Sequence, residues 1–95
     1  MTVSLVIPGR NAAPTLYQCL EAVVPLLGRH GLEEIIFVDD GSTDETAGIV
    51  QEFPVRYLLG KGRGPGAARN IGWRAAAHPL IWFIDADCIA QGDTL

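Results

Sequence analysis

Two short apolar runs in this chain each stop abruptly at acidic residues. The runs occupy residues 35–38 and 80–84, and the acids that follow them are Asp39, Asp40, Asp85 and Asp87. An uninterrupted apolar run of four or five residues is typical of a strand buried on both faces, as in a parallel sheet. Because parallel strands end at the same edge of a sheet, we expect the four carboxylates to gather at one edge.

Strand-like and helix-like segments alternate along the whole sequence. Residues 3–8, 34–38, 55–59 and 80–84 are predicted strands. The first helix should have Pro14 in its first turn and be shortened by Pro25. In the second, Ser42 and Glu45 have the spacing of a capping box, and the third covers residues 67–77. This β-α-β-α-β-α-β order predicts an α/β fold, a parallel sheet with helices on both faces.

The predicted fourth strand lies close to the end of the 95-residue sequence. A sheet that stops there leaves one flank of that strand uncovered. We therefore expect residues 1–95 to be the front part of a larger domain. An uncovered strand edge can also promote self-association.

Charge and cysteine usage narrow the classes of partner and the compartment. The formal net charge is −4, and it would be zero without the four acids at the strand ends. The sequence shows no basic stripe, so we expect no nucleic-acid binding. Two isolated cysteines without an export signal favour a cytoplasmic location. No apolar stretch approaches the ~20 residues of a membrane span. The sequence is still compatible with an acceptor at the cytoplasmic membrane face.

The acid pairs suggest two kinds of binding. Asp85 and Asp87 are two residues apart, so an extended backbone would place both on one face, where they could bind Mg²⁺ or Mn²⁺. The alternative is two solvated acids at a strand end. Asp39 and Asp40 could accept hydrogen bonds from a nucleobase or a ribose, or could simply favour the N-terminus of the next helix.

Basic residues occur in two segments near the predicted edge. Lys61 and Arg63 lie in a glycine-rich loop, and with Arg69 they could balance a diphosphate. The alternative is a mobile surface loop. Arg10 and Asn11 follow the first strand and could face the same edge as the acids, or could only form a turn.

Four segments together carry a resemblance to a known family. They are VSLVIP at residues 3–8 with Asn11, VDDGSTD at 38–44, GPGAARNIG at 64–72 and FIDAD at 83–87. With these, the chain resembles the N-terminal part of the family 2 glycosyltransferases, which have the GT-A fold. The order and spacing of the segments agree along nearly the whole chain.

The resemblance implies a nucleotide-sugar-binding portion that ends soon after the D-x-D motif. It also implies that the fourth strand lies beside the first, with the second strand on the other side. The residues that it places at a nucleoside-diphosphate sugar are Pro8, Gly9, Arg10, Asp39, Asp40, Arg69 and Asp85. Asp87, together with Asp85, matches the metal-binding acids.

The implied reaction is metal-dependent transfer of a sugar to an acceptor hydroxyl with inversion at the anomeric carbon. In the family the general base and the acceptor-binding half follow the D-x-D motif. We therefore expect the base beyond Leu95, no catalytic residue within this chain, and no turnover by residues 1–95 alone.

Two alternatives differ in class from this interpretation. A sugar nucleotidyltransferase or another nucleotide-binding α/β domain would account for the glycine-rich loop with Lys61 and Arg63. A non-catalytic fragment or interaction module would account for the missing acceptor half.

Overall fold

The computed structural model describes residues 2–86, and these form a four-stranded parallel sheet with helices on both faces. The strands are β1 (Val3–Gly9), β2 (Leu32–Asp39), β3 (Arg56–Leu59) and β4 (Leu80–Phe83). The helices are α1 (Ala13–Val23), which continues into a 3-10 turn over Val24–Leu26, α2 (Thr46–Val50) and α3 (Pro65–Ala75). The strand order β3-β2-β1-β4 agrees with the order that the family resemblance implies.

The strand register brings the carboxyl ends of the strands to one edge. Gly9 at the end of β1 pairs with Asp39 at the end of β2, and Asp39 in turn pairs with Leu59 at the end of β3. On the other side, Val6 pairs with Phe83, the last residue of β4. The chain then continues toward the same edge, because the Ile84 N–H donates to the Val6 carbonyl at 3.2 Å.

Two apolar clusters hold the helices against the sheet. Helices α1 and α2 cover one face, where Leu16, Leu20, Phe37 and Val50 are fully buried. Helix α3 covers the other face, and its Ala68 packs in a cluster with residues of β1 and β2. Each fully buried large apolar side chain stabilises the fold by roughly 1.5–3 kcal/mol. The prediction of helices on both faces is therefore confirmed.

Proline and hydroxyl residues set the helix ends, and one end differs from the prediction. Helix α1 ends just before Pro25, which lies in the 3-10 turn, as expected. The predicted capping box at Ser42 and Glu45 is wrong, because α2 begins at Thr46 and has no side-chain cap. The reason is tertiary: the Ser42 hydroxyl accepts a hydrogen bond from the Asn11 N–H at 2.8 Å and is engaged outside the helix.

Strand β4 lies at an edge of the sheet, as predicted. Its large apolar side chains Leu80, Trp82 and Phe83 are exposed, and Trp82 is 52% exposed.

No helix within residues 2–86 combines the length and the hydropathy that crossing a bilayer requires.

Candidate functional site

The end of β1 lies at the centre of the strand-end edge. Gly9 follows the buried Pro8, and its carbonyl accepts the Asp40 N–H at 2.9 Å. A Cβ atom on Gly9 would lie 2.9 Å from Phe37 Cε1 and 3.1 Å from the Ala86 Cβ. Only glycine therefore allows the segment after β4 to approach the end of β1 this closely.

Two depressions flank the end of β1 and share Pro8, Gly9 and Arg10 as a common wall. The first, of about 280 Å³, is completed by Asp40, Gly64, Pro65 and Ala68. The second, of about 460 Å³, is completed by Asn11, Ala12, Pro14, Thr15, Asp85 and Ala86. The structure thus brings Asp40 and Asp85 to the same edge, on opposite sides of one strand end. Asp87 lies outside the described residues.

Asp39 is committed to the interior of the protein. It is 2% exposed and lines neither depression. Its Oδ1 accepts the Ser42 N–H at 2.8 Å, and its Oδ2 accepts the Tyr57 hydroxyl at 2.5 Å. Burial acts to raise the pKa of Asp39, but the hydrogen bonds from Ser42 and Tyr57 outweigh it and hold the pKa below its ordinary value.

Asp40 anchors the glycine-rich loop of residues 60–64. Its Oδ1 accepts the Gly62 N–H at 2.9 Å, and its Oδ2 accepts the Gly64 N–H at 2.8 Å. Both glycines have positive φ, 68° and 96°, which residues with a side chain rarely adopt. The Gly60 N–H also donates to the Asp39 carbonyl at 2.6 Å. The two acids at the end of β2 therefore hold every second residue of this loop through its backbone N–H.

Residues 43–46, at the end of the VDDGSTD segment and just after it, hold the loop between β1 and α1. Thr46 Oγ1 accepts the Ala12 N–H at 3.0 Å, and Asp44 Oδ2 accepts the Ala13 N–H at 3.2 Å. Asn11 returns a bond, because its Oδ1 accepts the Thr43 N–H at 2.8 Å. The Thr46 hydroxyl, which donates to Asp44, holds the pKa of that carboxyl below its ordinary value. These bonds hold the loop after β1 and the segment after β2 against each other.

The basic residues divide between two places. The exposed Arg10 lies in both depressions at the strand end. Lys61 and Arg63 instead line a third depression of about 240 Å³ beside α3, which shares no lining residue with the other two. Arg69 is half-buried and lines neither strand-end depression. The predicted grouping of Lys61, Arg63 and Arg69 around one diphosphate is therefore not found at these depressions.

Two residues that contribute to the site were missed in the sequence. Tyr57 supports Asp39, and burial together with the Asp39 carboxylate raises the pKa of Tyr57 to about 12. The sequence carries no signal for this bond, because the β2–β3 register that brings Tyr57 near Asp39 is a feature of the tertiary structure. The Thr15 hydroxyl donates to the Ala86 carbonyl at 3.2 Å and ties the segment after β4 to α1. No sequence pattern marks that bond.

Comparison with known proteins identifies the family. The family model described as Glycosyl transferase family 2 matches residues 4–95. The chain belongs to glycosyl transferase family 2. This confirms the resemblance inferred from the sequence.

This family 2 chain is also similar to two relatives in sequence and to one solved structure. It is 36% identical to the succinoglycan biosynthesis protein ExoO of Rhizobium meliloti, covering 98% of this chain and 27% of the relative. It is 33% identical to the glycosyltransferase AglE of Haloferax volcanii, covering 90% of this chain and 30% of the relative. The solved structure is glucosyl-3-phosphoglycerate synthase of Mycobacterium tuberculosis with Mn²⁺, UDP and phosphoglyceric acid, with a TM-score of 0.82 and 26% identity over 90% of this chain and 32% of that chain. The family 2 chain thus has the GT-A fold and spans less than a third of each of these proteins.

The described residues fit a metal ion that the protein and a substrate bind together better than a metal ion bound by protein ligands alone. Strand β4 ends at Phe83 and Asp87 lies outside the described residues, so the placement of Asp85 and Asp87 on one face stays a prediction. Asp85 is exposed beside the larger depression, and within residues 2–86 no three His, Cys, Asp or Glu side chains come together. Mg²⁺ is commonly held by one or two carboxylates together with substrate phosphates. The oxygen donor of Asp85 fits that arrangement.

Proposed function

We propose that this chain is the donor-binding part of a glycosyltransferase and holds a nucleoside-diphosphate sugar at the end of β1. The observation that carries the proposal is that Asp40 and Asp85 flank the shared wall of Pro8, Gly9 and Arg10. A base could then lie on one side of this wall and a diphosphate on the other. The binding of UDP and Mn²⁺ by the related Mycobacterium tuberculosis enzyme supports this choice of ligand. Family membership favours sugar transfer over nucleotidyl transfer.

The side chains at the edge have complementary roles in this proposal. An ionised carboxylate offers about four lone-pair sites, so Asp40 can accept a base N–H while it still holds Gly62 and Gly64. Arg10 supplies a positive charge between the two depressions, where a diphosphate would pass. Asp85, with Asp87, would hold a divalent cation, either Mg²⁺ or Mn²⁺. When bound, such a cation neutralises charge on a diphosphate leaving group.

The complete reaction is proposed for a longer protein. The chain covers 27% and 30% of two of its relatives, so much of each relative has no counterpart in these residues. We expect the general base and the acceptor-binding half beyond Leu95. Residues 1–95 should then bind the donor without turning it over. Inversion at the anomeric carbon, the cytoplasmic location and a membrane-associated acceptor stay predictions.

Calorimetry with UDP-glucose and GDP-mannose tests donor binding directly. We expect saturable binding of one donor in the presence of Mn²⁺ and at least a roughly tenfold weaker affinity in EDTA, because the cation would link Asp85 to the diphosphate. Asp85→Asn should reduce the affinity in Mn²⁺ and leave the affinity in EDTA unchanged. Glu21→Gln is the matched control, since Glu21 is exposed in the last turns of α1, away from the strand-end edge.

Two outcomes would contradict the proposal. A folded sample that binds neither donor, with or without Mn²⁺, would argue against a donor site at this edge. Equal effects of Asp85→Asn and Glu21→Gln would show that Asp85 does not contribute to cation-dependent binding.

A further inference from the structure

The third depression, beside α3, is lined by three basic side chains. Its volume is about 240 Å³ and its lining is Lys61, Arg63, Ala67, Asn70, Ile71 and Arg74. The whole chain has seven basic residues and a net charge of −4, so three cations in one depression stand out against the overall charge. Within residues 2–86, none of the three forms an ion pair with an acid, whereas Arg56 pairs with Glu34 at 3.5 Å.

Helix geometry and the anchored loop build this basic depression together. Residues 67, 70, 71 and 74 follow helical spacing and therefore share one side of α3. The two loop cations flank Gly62, whose N–H is held by Asp40 at 2.9 Å. The next bond, from the Gly64 N–H to Asp40, is 2.8 Å long. The backbone beneath Lys61 and Arg63 is thus fixed even though their side chains are exposed.

Asn70 adds a neutral donor to the same depression. Its Oδ1 accepts the indole N–H of Trp73 at 3.3 Å. This bond orients the carboxamide, and its NH₂ group has no acceptor among residues 2–86. The depression therefore offers three cationic groups and an amide donor, and none of its lining residues carries a negative charge.

We propose that the basic depression binds a phosphate group, from either a soluble phosphate compound or a lipid headgroup. Two guanidinium groups can each bind phosphate oxygens through paired N–H donors, and the lysine ammonium adds a point charge. A volume of about 240 Å³ is below the range of about 300–1,000 Å³ typical of sites that enclose a whole small-molecule ligand, so it suits a compact anionic group. The basic depression shares no lining residue with the two strand-end depressions.

Titration with inorganic pyrophosphate, followed by NMR of the arginine Nε–Hε signals, tests the site. We expect the signals of Arg63 and Arg74 to shift in a saturable way at low salt and to return when salt is raised, because exposed charges are screened. The Arg29 signal should not move. Shifts confined to Arg10 and Arg69 would place the anion at the donor edge and overturn the proposal.

Charge-matched variants show which cations bind the anion. Arg74→Gln, and separately the double variant Lys61→Gln with Arg63→Gln, should each weaken pyrophosphate binding roughly three- to tenfold, as expected for charge-assisted bonds at an exposed site. Arg29→Gln removes the same charge elsewhere and should have no effect. UDP-glucose binding should persist in all of these variants. Equal weakening by Arg29→Gln would show only non-specific attraction and would refute a defined site.

Sedimentation with lipid vesicles separates the two sources of phosphate. Vesicles of phosphatidylcholine with 30 mol% phosphatidylglycerol, about a third anionic lipid, are compared with phosphatidylcholine alone. Retention on the anionic vesicles that is lost in the Lys61→Gln and Arg63→Gln variant would identify a lipid headgroup as the ligand. Pyrophosphate binding without vesicle binding would identify a soluble phosphate compound. Binding of neither probe would overturn the proposal.

Discussion

Replacing Gly72 with alanine tests how closely α3 must approach the sheet. Gly72 is buried in α3, and an added Cβ atom would lie 2.3 Å from Val6 Cγ1 and 3.2 Å from Val38 Cγ2. Ordinary carbon–carbon contacts are about 3.5–4.0 Å. The helix would therefore have to move away from the sheet by more than about 1 Å, or Val6 would have to yield.

Two opposing effects decide the sign of this change. Alanine is better than glycine in a helix by about 0.8–1.0 kcal/mol. Overpacking a core costs about 1–3 kcal/mol. We expect the upper end of that range, because Val6 is fully buried on a central strand and β-branched side chains are stiff at χ1. The net result should be a loss of about 2 kcal/mol in the free energy of unfolding, or roughly 8–16 °C in Tm.

Urea unfolding followed by circular dichroism measures this loss, and two further variants control it. Gly66→Ala adds the same methyl group to the same helix, with no neighbouring atom within 4 Å. It should leave the stability unchanged or raise it by up to about 1 kcal/mol. Combining Gly72→Ala with Val6→Ala should be less destabilising than the sum of the two single changes by about 1 kcal/mol or more.

A Gly72→Ala variant as stable as the original chain would refute the packing argument. Equal losses in Gly66→Ala and Gly72→Ala would do the same, because only one of these positions is crowded. The result also bears on function, since α3 carries the Ala68 and Pro65 wall of the smaller strand-end depression.

Further predictions concern the support of the site and the exposed strand. Tyr57→Phe removes the hydroxyl that donates to the buried Asp39 carboxylate, so urea unfolding at pH 7 should show a loss of about 1.5–3 kcal/mol. Hydrogen bonds hold the pKa of Asp39 below its ordinary 3.8 despite burial. The stability that ionised Asp39 contributes is therefore complete above pH 3.8 and is lost as the pH falls through the lower folded-state pKa. This loss of stability in acid should be smaller in Tyr57→Phe, which lacks one of those hydrogen bonds. An absorbance titration should find a tyrosine ionising near pH 12, and the stability linked to neutral Tyr57 should be complete below pH 10.0 and lost as the pH rises to about 12. Thr15→Val, which cannot donate to the Ala86 carbonyl, should weaken donor binding in Mn²⁺ while lowering the free energy of unfolding by only about 1 kcal/mol; unchanged calorimetric affinity would contradict a role in the site. Trp82→Lys should reduce self-association through the β4 edge in sedimentation velocity, an expectation that fails if the original chain is already a monomer at high concentration.

Much of the fold could be predicted because its signals are local. Apolar runs that stop at acids marked β2 and β4, and Pro25 marked the end of α1. The parallel order of these strands then required their carboxyl ends to meet at one edge. The capping box failed for the opposite reason, because the Ser42 hydroxyl is engaged by Asn11, 31 residues earlier.

The candidate site was predictable in position and less so in detail. Motif order placed Asp40 and Asp85 at the strand ends correctly. It did not distinguish Asp39 from Asp40. Both are buried, but Asp39 holds Tyr57 whereas Asp40 lines the smaller depression. It also grouped Lys61 and Arg63 with the nucleotide, whereas the structure places them in a separate depression beside α3.

The sequence by itself determined which segments form strands, their parallel direction and the edge at which the acids lie, because these depend on hydrophobic periodicity and on helical crossovers. The place of β4 beside β1 followed from the family resemblance. Only the tertiary structure decided what each acid holds. The partners of Asp40 are 22 and 24 residues away, and Tyr57, one of the two partners of Asp39, is 18 residues away. Such bonds form only after β1, β2, β3 and α3 have packed together, so no local pattern encodes them.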